Sequence, residues 1–315
     1  MEVFVMLARC ALALSLAFCA PATAREPWQL SHGPFTTASD VREHNQLGAD
    51  LRDLDGFLKA SPPAWAHALE LYAYGKNFPK HSLLRFGDDY NGRLSGYLPR
   101  ATKHFGSPSF QAHAWTAALG GSGRFANLSA GERIAFLDGA SPALVINWAR
   151  YELGEAQRKA KASPANWALT NGAPKNWNEI FAFYLGPDGK HAGFAAVEGV
   201  EGGKAIDEAL FAALARGQEA LVKQGWPEAE AAAVAAALDK ASLALLRDAL
   251  GKAANASDEA RPAALRRAAG AWLAAAEPML ADATAAKTVE AALSGKPDKA
   301  AIEAALKIVT TSLGA

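Results

Sequence analysis

The 315-residue sequence contains only two cysteines, Cys10 and Cys19, and both lie close to its start. They fall in an apolar run that ends just before Ala22-Thr23-Ala24, the small-x-small pattern of a signal-peptidase site. This run is too short to cross a bilayer. We therefore predict a secretory signal peptide over residues 1–24, a periplasmic or secreted protein, and no transmembrane segment after cleavage.

Cleavage of this segment would leave the exported chain without any cysteine. Disulfide bridges, thiolate metal ligands and a cysteine nucleophile are then excluded, although export delivers the chain to an oxidising compartment. Any metal site must consist of oxygen and imidazole ligands.

The sequence also lacks a charge excess, because 32 basic residues balance 32 acidic ones. A neutral chain offers no broad basic face, so we expect no nucleic-acid partner. Nucleophile elbows, phosphate-binding loops, dinucleotide-binding glycine motifs and the His-Glu-x-x-His zinc motif are absent as well. On these grounds we predict that the protein is not an enzyme.

Strand patterns are nearly missing, whereas Ala, Leu, Glu and Lys dominate the segments between glycines and prolines. This composition predicts an all-α, multi-helix bundle, either as one unit or as two packed helical halves. Residues 25–203 are rich in aromatic residues and contain all seven histidines, whereas residues 204–315 are rich in alanine. We predict that the second region packs against the first as one unit.

Apolar periodicity and proline positions predict the helices. In the first region these are 40–59, a helix opened by Pro62-Pro63, one from Ser141-Pro142 to about 162, and 177–185, with long aromatic-rich loops around short helices over 75–123. In the second region they are 204–224, 227–253, 258–281, 284–294 and 297–313.

Glu152 and Glu155 are three residues apart, so their carboxylates share one helix face, with Trp148 one turn earlier. Carboxylates that face a core repel each other unless a cation or a shared proton separates them. This pattern makes the two glutamates candidate metal ligands. The alternative is that they flank a solvated edge and pair with Arg158 or Lys159.

Other residues also have side chains that could bind a metal, but each of them also has an ordinary structural explanation. His67 and Glu70 form a one-face pair that recurs in helical metal proteins but is also common by chance. Asn176 and Glu179 have the spacing of a helix cap, a role that leaves the carboxylate free to bind. Three other side chains are equally explained as hydrogen-bonded core residues: His44, Tyr72 and Tyr184.

Several segments, taken in order, resemble the low-iron-inducible and high-CO₂-inducible periplasmic proteins of green algae, an iron-assimilating family related to phytotransferrins. They are LELYAYGKNFPKHSLLRF (69–86), the Tyr151-Glu152 helix, NWNEIFAFYLG (176–186) and AGAWLAAAEPML (269–280). Phe78 stands where that family has Ser after the Asn.

The resemblance implies an exported, non-enzymatic helical protein that captures Fe³⁺ for iron acquisition, with carbonate as a candidate synergistic anion and a membrane iron-transport protein as a candidate partner. An arginine or a helix N-terminus would hold the carbonate, and Arg85 and Arg150 are the local candidates. Fe³⁺ is a hard ion that favours carboxylate and phenolate oxygens. The metal-ligand candidates are His67, Glu70, Tyr72, Glu152, Glu155, Glu179 and Tyr184.

Three alternatives stay open. His67-x-x-Glu70 and Arg85-Phe86-Gly87 are weakly similar to imelysin-like helical iron-uptake proteins, although Trp65 stands where those proteins have Gly. The aromatic-rich region would also suit a binding module for a small organic ligand. The Ala-rich helices would suit the partner surface of an adaptor protein. The sequence leaves the metal, its ligand set and the oligomeric state open.

Overall fold

The computed structural model describes residues 26–189, 192–294 and 297–314. The predicted signal peptide and both cysteines lie outside these residues. Apart from a short antiparallel hairpin of β1 (Ser31–His32) and β2 (Phe35–Thr36), the regular structure in these ranges is helical. The all-α prediction is confirmed. None of the described helices combines the length and the apolarity needed to cross a membrane.

The first region contains two long helices among many short ones. Its elements are α1 (Arg42–Asn45), α2 (Leu47–Leu58), α3 (Trp65–Tyr74), α4 (Leu83–Gly87), α5 (Leu94–Tyr97), α6 (Pro99–Phe105), α7 (Phe110–Gly120), α8 (Ala130–Ala162), α9 (Ala173–Leu185) and α10 (Gly193–Glu198). Five helices complete the chain: α11 (Gly203–Val222), α12 (Glu228–Asn255), α13 (Arg261–Met279), α14 (Ala283–Leu293) and α15 (Lys299–Gly314).

The predicted start of α8 at Ser141-Pro142 is wrong, because the helix begins at Ala130 and contains Pro142. A capping box starts it: the Ser129 hydroxyl accepts a hydrogen bond from the Glu132 amide, and the Glu132 carboxylate accepts one from the Ser129 amide. This Ser-x-x-Glu pattern is a stronger start signal than the proline.

Helix α8 is the centre of the molecule, and α9, α12 and α13 all pack against it. Helices α8 and α13 approach each other closely at two glycines, Gly139 and Gly270. A Cβ atom added to Gly139 would lie 2.1 Å from the Arg267 carbonyl oxygen, and one added to Gly270 would lie 2.2 Å from the Phe136 carbonyl oxygen. Backbone therefore meets backbone at this crossing, and one hydrophobic core includes residues of both regions.

Glu277 connects α13 to the first region. Its carboxylate accepts a hydrogen bond from the Ala101 amide at 2.8 Å, in the first turn of α6. A carboxylate at a helix N-terminus satisfies free amides and stabilises the helix dipole. This contact gives Glu277 a structural role, and Pro278 lies in the last turn of a helix that ends at Met279.

We predict that Gly139→Ala lowers the free energy of unfolding by about 2 kcal/mol or more, because the added methyl group meets a carbonyl oxygen that cannot move independently of its helix. Gly251→Ala is the matched control. Gly251 also lies inside a helix, but an added Cβ meets nothing within 4 Å, so we expect a gain of up to about 1 kcal/mol. Urea denaturation of both variants measures the difference, and equal effects would contradict the close crossing.

Candidate functional site

Four polar side chains meet between α1, α8 and α9, and all four are buried. They are His44, Glu152, Asn176 and Glu179, with relative exposures of 7%, 4%, 7% and 8%. The His44 Nε2 atom lies 3.0 Å from Glu179 Oε1. Asn176 Nδ2 donates hydrogen bonds to Glu152 Oε2 at 2.5 Å and to Glu179 Oε2 at 3.2 Å. We refer to these four residues as the buried polar cluster.

Helix geometry explains why the cluster forms. Asn176 and Glu179 are three residues apart inside α9, so they project from one face. That face packs on α8 at Glu152, while α1 brings His44 from the other side. The predicted capping role of Asn176 and Glu179 is wrong, because α9 already begins at Ala173 and both side chains point into the cluster.

Aromatic rings surround the cluster. The His44 ring centroid lies 5.7 Å from that of Phe78 and 5.4 Å from that of Phe183. Phe86 packs on Phe183 and on Trp148, one turn before Glu152. This apolar surrounding keeps water out and strengthens electrostatic interactions within the cluster.

The two carboxyl groups have opposite ionisation preferences. Burial and the nearby charge of Glu179 raise the pKa of Glu152 well above its usual range. Burial would also raise the pKa of Glu179, but hydrogen bonds from His44 and Glu152 outweigh it and lower that pKa. The opposite directions favour a protonated Glu152 beside an ionised Glu179, as expected for two carboxyl groups that cannot both ionise.

Two buried atoms of the cluster have no hydrogen-bond partner among the described residues: His44 Nδ1 and Asn176 Oδ1. Both can act as acceptors or ligands, the histidine atom when the ring is neutral. Within residues 26–189, 192–294 and 297–314, no three side chains of His, Cys, Asp or Glu are arranged to hold a metal ion together. In the described residues the cluster therefore has fewer than three acidic or imidazole side chains arranged around one point.

A loop held by Asp50 closes one side of the cluster. The Asp50 carboxylate accepts hydrogen bonds from the amides of Asn77 and Phe78 at 2.7 and 3.3 Å. This anchor fixes Phe78 against His44. The His81 ring centroid lies 5.8 Å from that of Phe78. Burial and the charges of Arg85 and His44 lower the pKa of His81, while Glu179 acts in the opposite direction.

A surface depression of about 520 Å³ lies next to the cluster. Several of its lining residues are adjacent in sequence to residues of the cluster or to Phe78. Glu43 precedes His44, Lys175 precedes Asn176, and Asn77 and Pro79 flank Phe78. The depression therefore opens beside α1 and the first turn of α9, next to residues that carry or contact the cluster.

Glu155 occupies a separate environment from Glu152, although both are buried. Its carboxylate accepts hydrogen bonds from Arg93, Tyr97 and Arg158 at 2.8–3.1 Å. We refer to these four residues as the Glu155 cluster. Burial opposes ionisation, but Arg158 and Tyr97 outweigh it and lower the pKa of Glu155. The alternative pairing with Arg158 is thus present, on a buried rather than a solvated edge.

The other predicted ligands lie elsewhere. The Tyr184 hydroxyl donates to Asp207 Oδ1 at 2.6 Å, and the Tyr72 ring stacks on Trp115 with centroids 5.3 Å apart. Burial raises the pKa of both phenols, which disfavours phenolate. His67 and Glu70 are exposed on α3. The structure therefore brings together Glu152 and Glu179 from the predicted set and leaves the rest apart.

The two arginines predicted to bind carbonate, Arg85 and Arg150, lie in different environments. The Arg150 guanidinium donates to Asn147, Asp239, Ser242 and carbonyl groups of α12 and α13, so it joins three helices. Arg85 lies over the Tyr90 ring at 3.8 Å, and its buried Nε has no hydrogen-bond partner among the residues described. Arg85 therefore retains a free donor, whereas Arg150 is a structural residue.

Sequence reasoning did not assign His44 or Asn176 to the site. His44 lies on the apolar stripe of its helix, where a core histidine is the simpler explanation. Asn176 has the spacing of a cap. A hint was present in the number of polar residues in α9, where Asn176, Asn178 and Glu179 are all buried.

Comparison with known proteins identifies one family. A family model, Fea1, described as low iron-inducible periplasmic protein, matches residues 4–244. The match confirms the resemblance and the predicted periplasmic or secreted localisation. It contains three of the four resembling segments and ends before 269–280. No curated protein and no solved structure matched the chain significantly.

Asp207 gives a pH-dependent prediction. Burial raises its pKa to about 7, although the Tyr184 hydrogen bond acts in the opposite direction. The folded protein thus binds this proton more tightly than the unfolded chain, so the associated stability is present at low pH and is lost as pH rises through about 7. We expect Asp207→Asn, which keeps an acceptor for Tyr184, to lose less stability between acidic and alkaline pH than the wild type.

Urea denaturation at several pH values from acidic to alkaline measures this effect. Asp258→Asn is the control, because the Asp258 side chain is 94% exposed. If Asp207→Asn and Asp258→Asn followed the wild-type pH dependence equally, the buried pair would not be the cause.

Proposed function

Because the chain belongs to the low iron-inducible periplasmic family, we propose that it captures ferric iron for iron acquisition and binds the ion at the buried polar cluster. The observation that supports this most is the pair Glu152 and Glu179, which are buried side by side and joined by Asn176, with Glu179 Oε1 3.0 Å from His44 Nε2. A cation that replaces the proton would remove the repulsion between the carboxylates.

The donor atoms suit a hard trivalent ion. Carboxylate oxygens and imidazole nitrogen are ligands that iron accepts. Two neighbouring ligands about 2.1 Å from an octahedral ion lie about 3.0 Å apart, which is the separation of His44 Nε2 and Glu179 Oε1. These two atoms would bind one ion at this spacing once His44 Nε2 loses the proton that it donates to Glu179, and Glu152 would join them by turning its carboxylate after losing its own proton.

The charge balance leaves room for an anion. Two carboxylates neutralise two of the three charges of Fe³⁺, so one positive charge would stay buried. Carbonate would compensate it and fill further coordination positions. We assign the carbonate contact to Arg85, because its Nε is buried and unpaired in the part of the chain that the structure describes and the residue lies near His81. Arg150 is already saturated by its helix contacts.

We predict that the full-length mature protein binds one Fe³⁺, and that Glu152→Gln combined with Glu179→Gln lowers the affinity by more than about 100-fold, since loss of a supporting residue alone costs about 10–100-fold. Ferric nitrilotriacetate serves as the iron donor, and bound iron is counted after desalting. No tyrosinate absorption band is expected, because the Tyr72 and Tyr184 hydroxyls lie outside the cluster.

Glu155→Gln is the matched control, because it neutralises a buried glutamate on the same helix but outside the cluster. It should leave iron binding unchanged. Loss of iron binding in Glu155→Gln with retention in the double variant would place the site at the Glu155 cluster instead. No binding by the wild type, with or without bicarbonate, would refute the proposed function.

We predict that Arg85→Gln removes the bicarbonate dependence of iron binding and weakens binding in bicarbonate buffer by about 10–100-fold. Titrations with and without bicarbonate, on the wild type and on Arg85→Gln, measure both quantities. Arg93→Gln is the control, because it removes an arginine from the Glu155 cluster. An unchanged bicarbonate effect in Arg85→Gln would contradict the assigned role.

A further inference from the structure

A cavity of about 240 Å³ lies where α6 and the end of α14 meet α8 and α13. Aromatic rings form part of its walls, and Phe125, Phe136 and Trp272 are buried there. The cavity shares no lining residue with the buried polar cluster or with the depression beside it. Part of its wall, on α13 and α14, lies beyond the span that matches the family model.

Two arginines, Arg124 and Arg266, line this apolar cavity. The Arg124 guanidinium carbon lies 5.0 Å from the Phe125 ring centroid and 5.4 Å from that of Phe136. Arg266 is close enough that its charge, after burial, lowers the pKa of Arg124. Two guanidinium groups thus repel each other against an aromatic wall.

Neither arginine has a close carboxylate partner among the described residues. Arg124 forms no ion pair there, and Arg266 Nε lies 3.9 Å from Glu132 Oε1. Glu132 is itself engaged in the capping box of α8 through its other oxygen. Glu290, which also lines the cavity, pairs with His104. Arg124 therefore has no ion-pair partner among the described residues, and Glu132 and Glu290 each have a partner other than these two arginines.

We propose that this cavity binds a small aromatic carboxylate. The carboxylate would lie between Arg124 and Arg266, which suit its planar geometry and whose repulsion it would relieve. The ring would pack on Trp272 and Phe136. Ligand pockets commonly measure about 300–1,000 Å³, and this cavity of about 240 Å³ lies below that range, so it suits a ligand no larger than one ring with one acidic group.

The test follows the indole N–H signal of Trp272 by nuclear magnetic resonance in the full-length mature protein. Trp272→Phe identifies the signal among those of the eight tryptophans. Benzoate should shift it saturably. Benzamide lacks the charge and inorganic phosphate lacks the ring. At equal concentration, each should therefore change the position of the Trp272 signal at least about tenfold less than benzoate does.

Arg124→Gln and Arg266→Gln should each weaken benzoate binding by about tenfold or more. Arg52→Gln, on α2, is the control and should bind as the wild type does. Arg124 is exposed at its tip, so this variant keeps the test valid if Arg266→Gln fails to fold by circular dichroism. The proposal is overturned if benzoate gives no saturable shift, if benzamide or phosphate binds as tightly as benzoate, or if Arg124→Gln binds as the wild type does.

Discussion

Two carboxyl groups buried side by side in an aromatic shell cannot both ionise unless a positive charge joins them. In this protein the constraint falls on Glu152 and Glu179, and the surrounding residues meet it in a particular way. The pKa of Glu152 is raised, Glu179 contacts His44, and Asn176 donates to both carboxyl groups. In the proposed function a cation replaces the proton of Glu152 in this arrangement.

The scaffold holds this arrangement from several directions. Helix α8 carries Glu152 and is fixed by its glycine-mediated contact with α13 and by Arg150, which bonds to α12 and α13. On the other side, Asp50 anchors the loop that holds Phe78 against His44. Functional groups on packed helices keep their geometry better than groups on loops, so the Ala-rich second region supports the site without lining it.

The sequence predicted the helices well because their signals are local, and the bounds of α11 to α15 differ from the predicted ones by only a few residues. The start of α8 was misjudged where Pro142 was weighed above the Ser129 capping box. The site was harder to predict. Glu152 and Glu179 were recognisable as candidates, but their contact with each other and with His44 depends on how α1, α8 and α9 pack. The same holds for Glu155, whose partner Arg93 comes from a distant segment, and for Glu277, which stabilises α6.

The position of the bound ion tests most directly whether iron binds at the buried polar cluster. Crystals of the mature protein loaded with Fe³⁺ and measured at the iron absorption edge would show it directly through anomalous scattering. We predict one strong peak between α1, α8 and α9, within coordination distance of Glu179 and His44 and with Glu152 turned towards it. A peak at the exposed His67–Glu70 pair or at the Glu155 cluster, or the absence of a peak in iron-loaded crystals, would contradict the account.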